Sequence, residues 1–307
     1  MTTVLASAAD QRYGYWLLNL LGSVKKNSDL FDSVVVHDLG LSHRQRRLLD
    51  AVRGVEVRTV PPFVPHWALG RTWKPWIWTH LDADEIFWLD AGISVLRPMT
   101  DALEQIRERG YFVVSQGLPN RPSIPSDYYE LYGVGENVAD RMSVAAGILG
   151  FAKPGRFYDE VIVPTFEDVV AGRSLGFSPA EAVKLNQGLD RMDEPILRDC
   201  PLFRHEQTVL NLRLYTTIAD PTVNDLDEWG GWQSPHDHPR QAIWSHRRRG
   251  DFRFLPHLRF GPPLWFAGNA WGLLFRWRWW VATHSWLFRP GTYLNKARKL
   301  AASAFAR

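Results

Sequence analysis

A single cysteine, Cys200, in 307 residues excludes an intrachain disulfide, and such scarcity is typical of a reducing compartment. Long apolar runs are also lacking. No stretch of roughly 18 uncharged apolar residues occurs, so no membrane-spanning helix is expected. Met1-Thr2-Thr3 leads straight into an apolar run instead of a basic one, and no secretory leader is expected. The chain lacks a Gly-rich phosphate loop and a Gly-x-Ser-x-Gly elbow, which removes the main support for kinase and esterase chemistry. It also lacks internal repeats and low-complexity linkers. Acid is scarce at one end only. From Gln241 onward 12 Lys/Arg face one acid, Asp251, which leaves the first 240 residues near −8 against a whole-chain charge of +3.

What is present is an ordinary globular composition, 45% hydrophobic and 22% charged, with an unusual 15 tryptophans. One large domain, or at most two, is expected. Thr3–Ala8 is a short apolar run that ends in small residues and then Asp10, as a buried strand feeding a ligand loop would. Tyr15–Val24 carries Trp16, Leu17, Leu20 and Leu21 at helical spacing. Val34–Val36 predicts a second strand buried on both faces, Ser42 a helix cap, and Val55–Val60 a third strand. This alternation predicts a doubly wound α/β fold with ligands beyond the strand carboxyl ends. Thr72–Leu81 then reads as a Trp-rich helix and Ile86–Leu89 as a strand ending in Asp90-Ala91-Gly92. Thr100 is the expected cap of the following helix. Pro119–Asp140, with Tyr128, Tyr129 and Tyr132, is expected to be a long polar loop with a lid or binding role. Pro201–Tyr215 is expected to be one helix.

Asp90 is the foremost chemical candidate. A carboxylate at the carboxyl end of a central strand can hold a metal-diphosphate or a sugar hydroxyl, or can simply cap a turn. Gly92 lets a ligand approach the backbone. Asp82 and Asp84 form an Asp-x-Asp pair, but they precede the strand and fall at the wrong end of the sheet. Lys74 is either a cation for a diphosphate or a lysine snorkelling from its helix. Trp73, Trp76 and Trp78 are expected to be packing residues. Asp38 ends the second strand, where it faces the same crevice or closes a turn. Of Arg204, His205, Glu206 and Gln207, a helix can turn at most two toward one site. His236 and His238 lack a nearby third ligand for zinc.

Trp73-Lys74-Pro75-Trp76 followed by Asp84 to Val95 resembles the central block of GT-A nucleotide-sugar glycosyltransferases related to glycogenin and the bacterial galactosyltransferases. VVVHDLGLSHRQRRLL, before it, is similar to the second strand and helix of a bacterial branch of that superfamily. FRHEQTVLNL and IWSHRR, after it, are similar to a later helix and the C-terminal segment, all in the same order over residues 3 to 250. The resemblance implies a GT-A fold, with a mainly parallel sheet covered by helices on both faces. It further implies transfer of a sugar from a nucleotide-diphosphate donor to a saccharide or lipid-linked acceptor, mostly with retained anomeric configuration. It assigns Ser7, Ala8, Asp10, Asp38, Lys74 and Gly92 to the nucleotide sugar, and Asp90, Glu206 and Gln207 to catalysis. Asp90 and His246 would hold Mn²⁺ or Mg²⁺. One departure matters: Gly92 stands where metal-dependent members carry a second aspartate. Asp90 alone is a thin ligand set, so neutralisation by Lys74 or the arginines at 247–249 stays open. A non-catalytic saccharide- or nucleotide-binding relative, favoured by Gly92, and a nucleotidyltransferase on a similar fold also stay open.

The chain is expected to divide into a catalytic domain, 1–255, and a helical basic aromatic extension, 256–307. The extension mixes Trp271, Trp277, Trp279, Trp280 and Trp286 with Arg276, Arg278 and Arg289. Such a mixture suits a membrane headgroup interface, or a segment packed on the domain. A cytoplasmic protein, peripheral on the inner membrane face, is the expectation. Nucleic acid is not an expected partner, given the acidic body.

Overall fold

The computed structural model describes residues 1–176, 200, 202–231, 239–245 and 252–261. Its centre is a six-stranded sheet in the order β3-β2-β1-β4-β7-β6. The strands are β1 (Thr3–Ala9), β2 (Ser33–Asp38), β3 (Val55–Thr59), β4 (Glu85–Leu89), β6 (Tyr111–Pro119) and β7 (Met142–Ala152). Strands β1 to β4 run parallel, and β7 runs antiparallel between β4 and β6. A small ladder pairs β5 (Ser94–Val95) with β8 (Ile243–Trp244).

Alternation along the strands divides the core. Val4, Ala6 and Ala8 of β1 and Ile86 and Trp88 of β4 enter one cluster, while Leu5, Ala9, Phe87 and Leu89 enter the other. The first cluster is covered by α3 (Trp73–His80), by α8 (Glu206–Thr217) and by the turn Tyr158–Ile162 that leads into α7 (Val163–Val170); the second by α1 (Gly14–Asn27), α2 (His43–Asp50) and α4 (Thr100–Arg109). Strands buried on both faces need continuous apolar sequence, and β4 supplies it with Ile86-Phe87-Trp88-Leu89.

Several local expectations hold and several are corrected. Ser42 caps α2 through a capping box with Gln45. Thr100 is instead the first residue of α4, whose cap position is Met99 without a side-chain bond. Pro119–Asp140 is not an open loop. It contains α5 (Ser126–Leu131) and α6 (Glu136–Ala139), Tyr128 donates to the Arg173 carbonyl, and Tyr132 donates to Asp168 at 2.8 Å. Two aromatic hydroxyls thus anchor the segment to the core, while residues such as Asp127, Glu130 and Leu131 stay exposed. The helix expected from Pro201 begins only at Glu206. Leu258 and Phe260, beyond the expected boundary at residue 255, are buried in the second cluster. The Trp/Arg-rich stretch after Gly261 lies outside the described residues. Among those described, no helix is long and apolar enough to cross a membrane.

Candidate active site

The strand order reverses between β1 and β4, because β2 and β3 extend to one side of β1 and the remaining strands to the other. Their connections diverge there and leave a crevice at the carboxyl ends. Its first half is walled by Ala8, Ala9 and Asp10 at the end of β1 and by Asp90, Ala91 and Gly92 after β4. Its second half is walled by Gln116, Gly147, Glu206, Gln207 and Ser245. Arg71, Lys74 and Asp90 belong to both halves.

Lys74 holds the junction together. From the first turn of α3 its ammonium lies 3.0 Å from Asp90 Oδ1 and 2.8 Å from Glu206 Oε1. The side chains of Lys74 and Glu206 are 3% and 1% exposed, and that of Asp90 26%. A buried ammonium survives only with opposite charge close by, and two carboxylates from distant parts of the chain provide it. The Trp73 and Trp88 rings flank the ammonium at 5.9 and 5.6 Å. The Trp88 indole also donates to Asp90 Oδ1 at 2.9 Å. Burial alone would push the Asp90 carboxyl up. The Lys74 charge and hydrogen bond, the Trp88 hydrogen bond and the Arg71 charge outweigh it and hold Asp90 below its ordinary value. Gly147 on β7 makes room for the carboxylate: a Cβ there would stand 2.9 Å from Asp90 Oδ2.

Glu206 is placed by an unusual backbone. His205 has φ +57°, a region that costs an L-residue energy, and its ring contacts the Ser174 carbonyl at 3.0 Å. Because α8 begins after His205, Arg204 is not bound by helical spacing, and Arg204, Glu206 and Gln207 all line the second half of the crevice. That corrects the two-of-four limit. Gln207 donates to Gln116 and, at 3.3 Å, to Ser143.

The remaining expected residues divide. Ala8, Asp10, Lys74 and Gly92 line the first half of the crevice. Asp10 also accepts from the Arg12 and Tyr13 amides, closing the turn after β1. Ser7 is a correction: it is fully buried, and its hydroxyl donates to the Leu89 carbonyl at 2.6 Å, stitching β1 to β4. Asp38 is a second correction. Its carboxylate accepts from the Gly40 and Leu41 amides and pairs with Arg46, so it closes a turn rather than facing the crevice. Trp73, expected to be packing alone, also lines the first half, whereas Trp78 is wholly core. Asp84 binds Thr2 at the opposite end of the sheet. His246, the arginines at 247–249, His236 and His238 lie outside the described residues. Arg71, Gln116 and Gly147 were not anticipated. The signal for Arg71 was its place one turn before Lys74, in a Gly-Arg-Thr run.

The donor set does not fit a divalent ion among the described residues. Asp90 Oδ1 is taken by Lys74 and Trp88, Gly92 brings no ligand, and Glu206 is bound to Lys74. No group of three acids, histidines or cysteines gathers there. Hard divalent ions need about six oxygens or nitrogens.

No protein-family model matches the sequence, and no curated protein matches it. Solved structures do. The galactosyltransferase LgtC, in complex with donor and acceptor sugar analogues, aligns at TM-score 0.50 and 14% identity over 86% of this chain and 99% of that one. The bifunctional glycosyltransferase WbbM aligns at 0.48 and 10%, over 88% of this chain and 51% of that one. Mouse xyloside xylosyltransferase 1 aligns at 0.45 and 8%, over 80% and 96%. The chain has the GT-A glycosyltransferase fold.

Proposed function

We propose that the protein transfers a sugar from a nucleoside-diphosphate donor to a hydroxyl of a saccharide or lipid-linked acceptor. The observation that carries this reading is the Asp90–Lys74–Glu206 cluster at the junction of the two crevice halves. The small residues that end β1, Ala8 and Ala9, leave space for a base and ribose in the first half. Gln207, Gln116 and Glu206 suit the hydroxyls of a sugar in the second. In the reaction the bond from the anomeric carbon to the diphosphate oxygen breaks, and the electron pair leaves with the diphosphate. The acceptor oxygen bonds the anomeric carbon and gives up its proton. Cations at the junction stabilise the departing charge more strongly than the ground state. Glu206 stabilises oxocarbenium-like charge or takes the acceptor proton.

The test is a panel of UDP-, GDP- and CDP-sugars with pooled saccharide and lipid acceptors. Release of nucleoside diphosphate supports transfer, and release of pyrophosphate supports a nucleotidyltransferase instead. Retention, which the sequence resemblance favours, is checked from the anomeric configuration of the product. A second reading, a non-catalytic binding relative, is favoured by Gly92. It predicts calorimetric binding without release from any donor. We further place the Trp/Arg-rich stretch 262–307 at an anionic membrane surface on the cytoplasmic side, because of its mixed tryptophans and arginines. Co-sedimentation of the full chain with phosphatidylserine vesicles, lost on truncation at residue 261, would support this.

A further inference from the structure

The charge required at the junction is set by the ligand. A nucleotide sugar carries two negative charges on its diphosphate, and the departing nucleoside diphosphate develops a third. Some positive group must meet them in a half-buried crevice. The described carboxylates do not form a cage for a divalent ion. They are bridged instead by an ammonium, and any divalent ion at Asp90 would have to sit beside that like charge. Two further cations line the crevice, Arg71 in both halves and Arg204 in the second.

Arg71 is held with unusual care for a surface-reaching residue. Its side chain is 37% exposed, and a guanidinium nitrogen lies 3.8 Å from Glu206 Oε2. Its backbone sits at φ +54°, directly after Gly70 at φ +51°. A Cβ on Gly70 would meet the Ser174 carbonyl oxygen at 2.6 Å. The Lys74 amide donates to the Arg71 carbonyl at 2.9 Å. This paired left-handed turn therefore fixes the Arg71 backbone one turn before Lys74, so that its side chain enters the crevice beside the ammonium, and strain of this kind persists where surrounding structure imposes it. A planar guanidinium also matches two phosphate oxygens at once.

We infer that this chain meets the diphosphate of its donor with the Arg71 guanidinium, with the Lys74 ammonium behind it offsetting Asp90 and Glu206, and without a divalent metal ion. The inference rests on the nucleotide-sugar reading above and departs from the metal site that the sequence resemblance implies.

The experiment is calorimetric titration of the full chain with UDP, GDP, CDP and ADP, each in EDTA and in Mn²⁺. At least one nucleoside diphosphate is expected to bind in EDTA with a Kd within about twofold of that in Mn²⁺. Arg71→Gln, at an exposed side chain, is expected to weaken it by about tenfold or more, the scale of a charged hydrogen bond. Arg71→Lys should restore part of the loss, with unchanged melting temperature in both variants. Lys74→Met should weaken it further, but that variant also strands the buried Glu206 carboxylate and the partly exposed Asp90. Binding that appears only with Mn²⁺, or wild-type affinity in Arg71→Gln, would overturn the inference alone. Failure of every nucleotide in both buffers would overturn it together with the nucleotide-sugar reading. Metal-independent binding with no turnover of any sugar nucleotide would uphold the inference and sink the transferase reading.

Discussion

Asp90 has little room around it, and that tightness is testable. Gly147→Ala would place a methyl 2.9 Å from Oδ2, so the carboxylate must shift relative to Lys74. A misplacement of about 1 Å at a reacting centre costs on the order of 100-fold in rate, and the smaller shift needed here about tenfold. We expect kcat to fall steeply while the melting temperature changes by only a few degrees. Titratable groups make a second residue-scale prediction. Burial first, and the Arg58 charge next, lower His37 from 6.5 to about 4. The unfolded chain therefore binds an additional proton between those values, and stability is complete above pH 6.5 and declines as pH falls toward 4. The depressed Asp90 carboxyl acts in a lower window: its contribution is present above its ordinary value of 3.8 and is lost as pH falls through the depressed one. Melting temperatures recorded from pH 7 to 4.5 should decline for the wild type and flatten in His37→Asn. An equal decline in both would show that His37 is not the group responsible.

Among elements, α1 shows how packing fixes a sequence choice. A Cβ on Gly22 would run into the Phe254 carbonyl oxygen, where the chain returns to pack against this helix. Gly22→Ala should raise helix propensity yet destabilise the protein by about 1–3 kcal/mol, as overpacking does, measured by urea unfolding. Propensity alone predicts the opposite sign. The same contrast explains what could be read in advance. The strand ending at Asp90 was legible because Ile86-Phe87-Trp88-Leu89 is apolar on both faces and Ala91-Gly92 ends it. The α2 start was legible because Ser42 and Gln45 form a purely local capping box. The start of α8 was not, because it depends on a left-handed His205 whose ring contacts Ser174, 31 residues away in sequence. Pro119–Asp140 was misread for a similar reason: its polar composition conceals two tyrosines whose partners lie on other segments. Ser7 and Asp38 were placed by strand position, but side-chain direction in one and turn bonding in the other take them out of the crevice.

At the scale of the molecule, the sheet order creates the site. A parallel β3-β2-β1-β4 half opens a crevice at its switch point, and antiparallel β7 enters beside it to bring Gly147 against Asp90. Helix α8 closes the far wall with Glu206 and Gln207. Lys74 joins the two halves, so a ligand spanning them must pass the charged junction. The central claim is that this junction handles the diphosphate of a sugar nucleotide. Its most direct test is the initial rate of nucleoside diphosphate release from the preferred donor, compared between wild type and Asp90→Ala at matched fold stability. The account predicts a loss of about 100-fold or more, the scale of removing one preorganised electrostatic group. Equal turnover by the two proteins would contradict it.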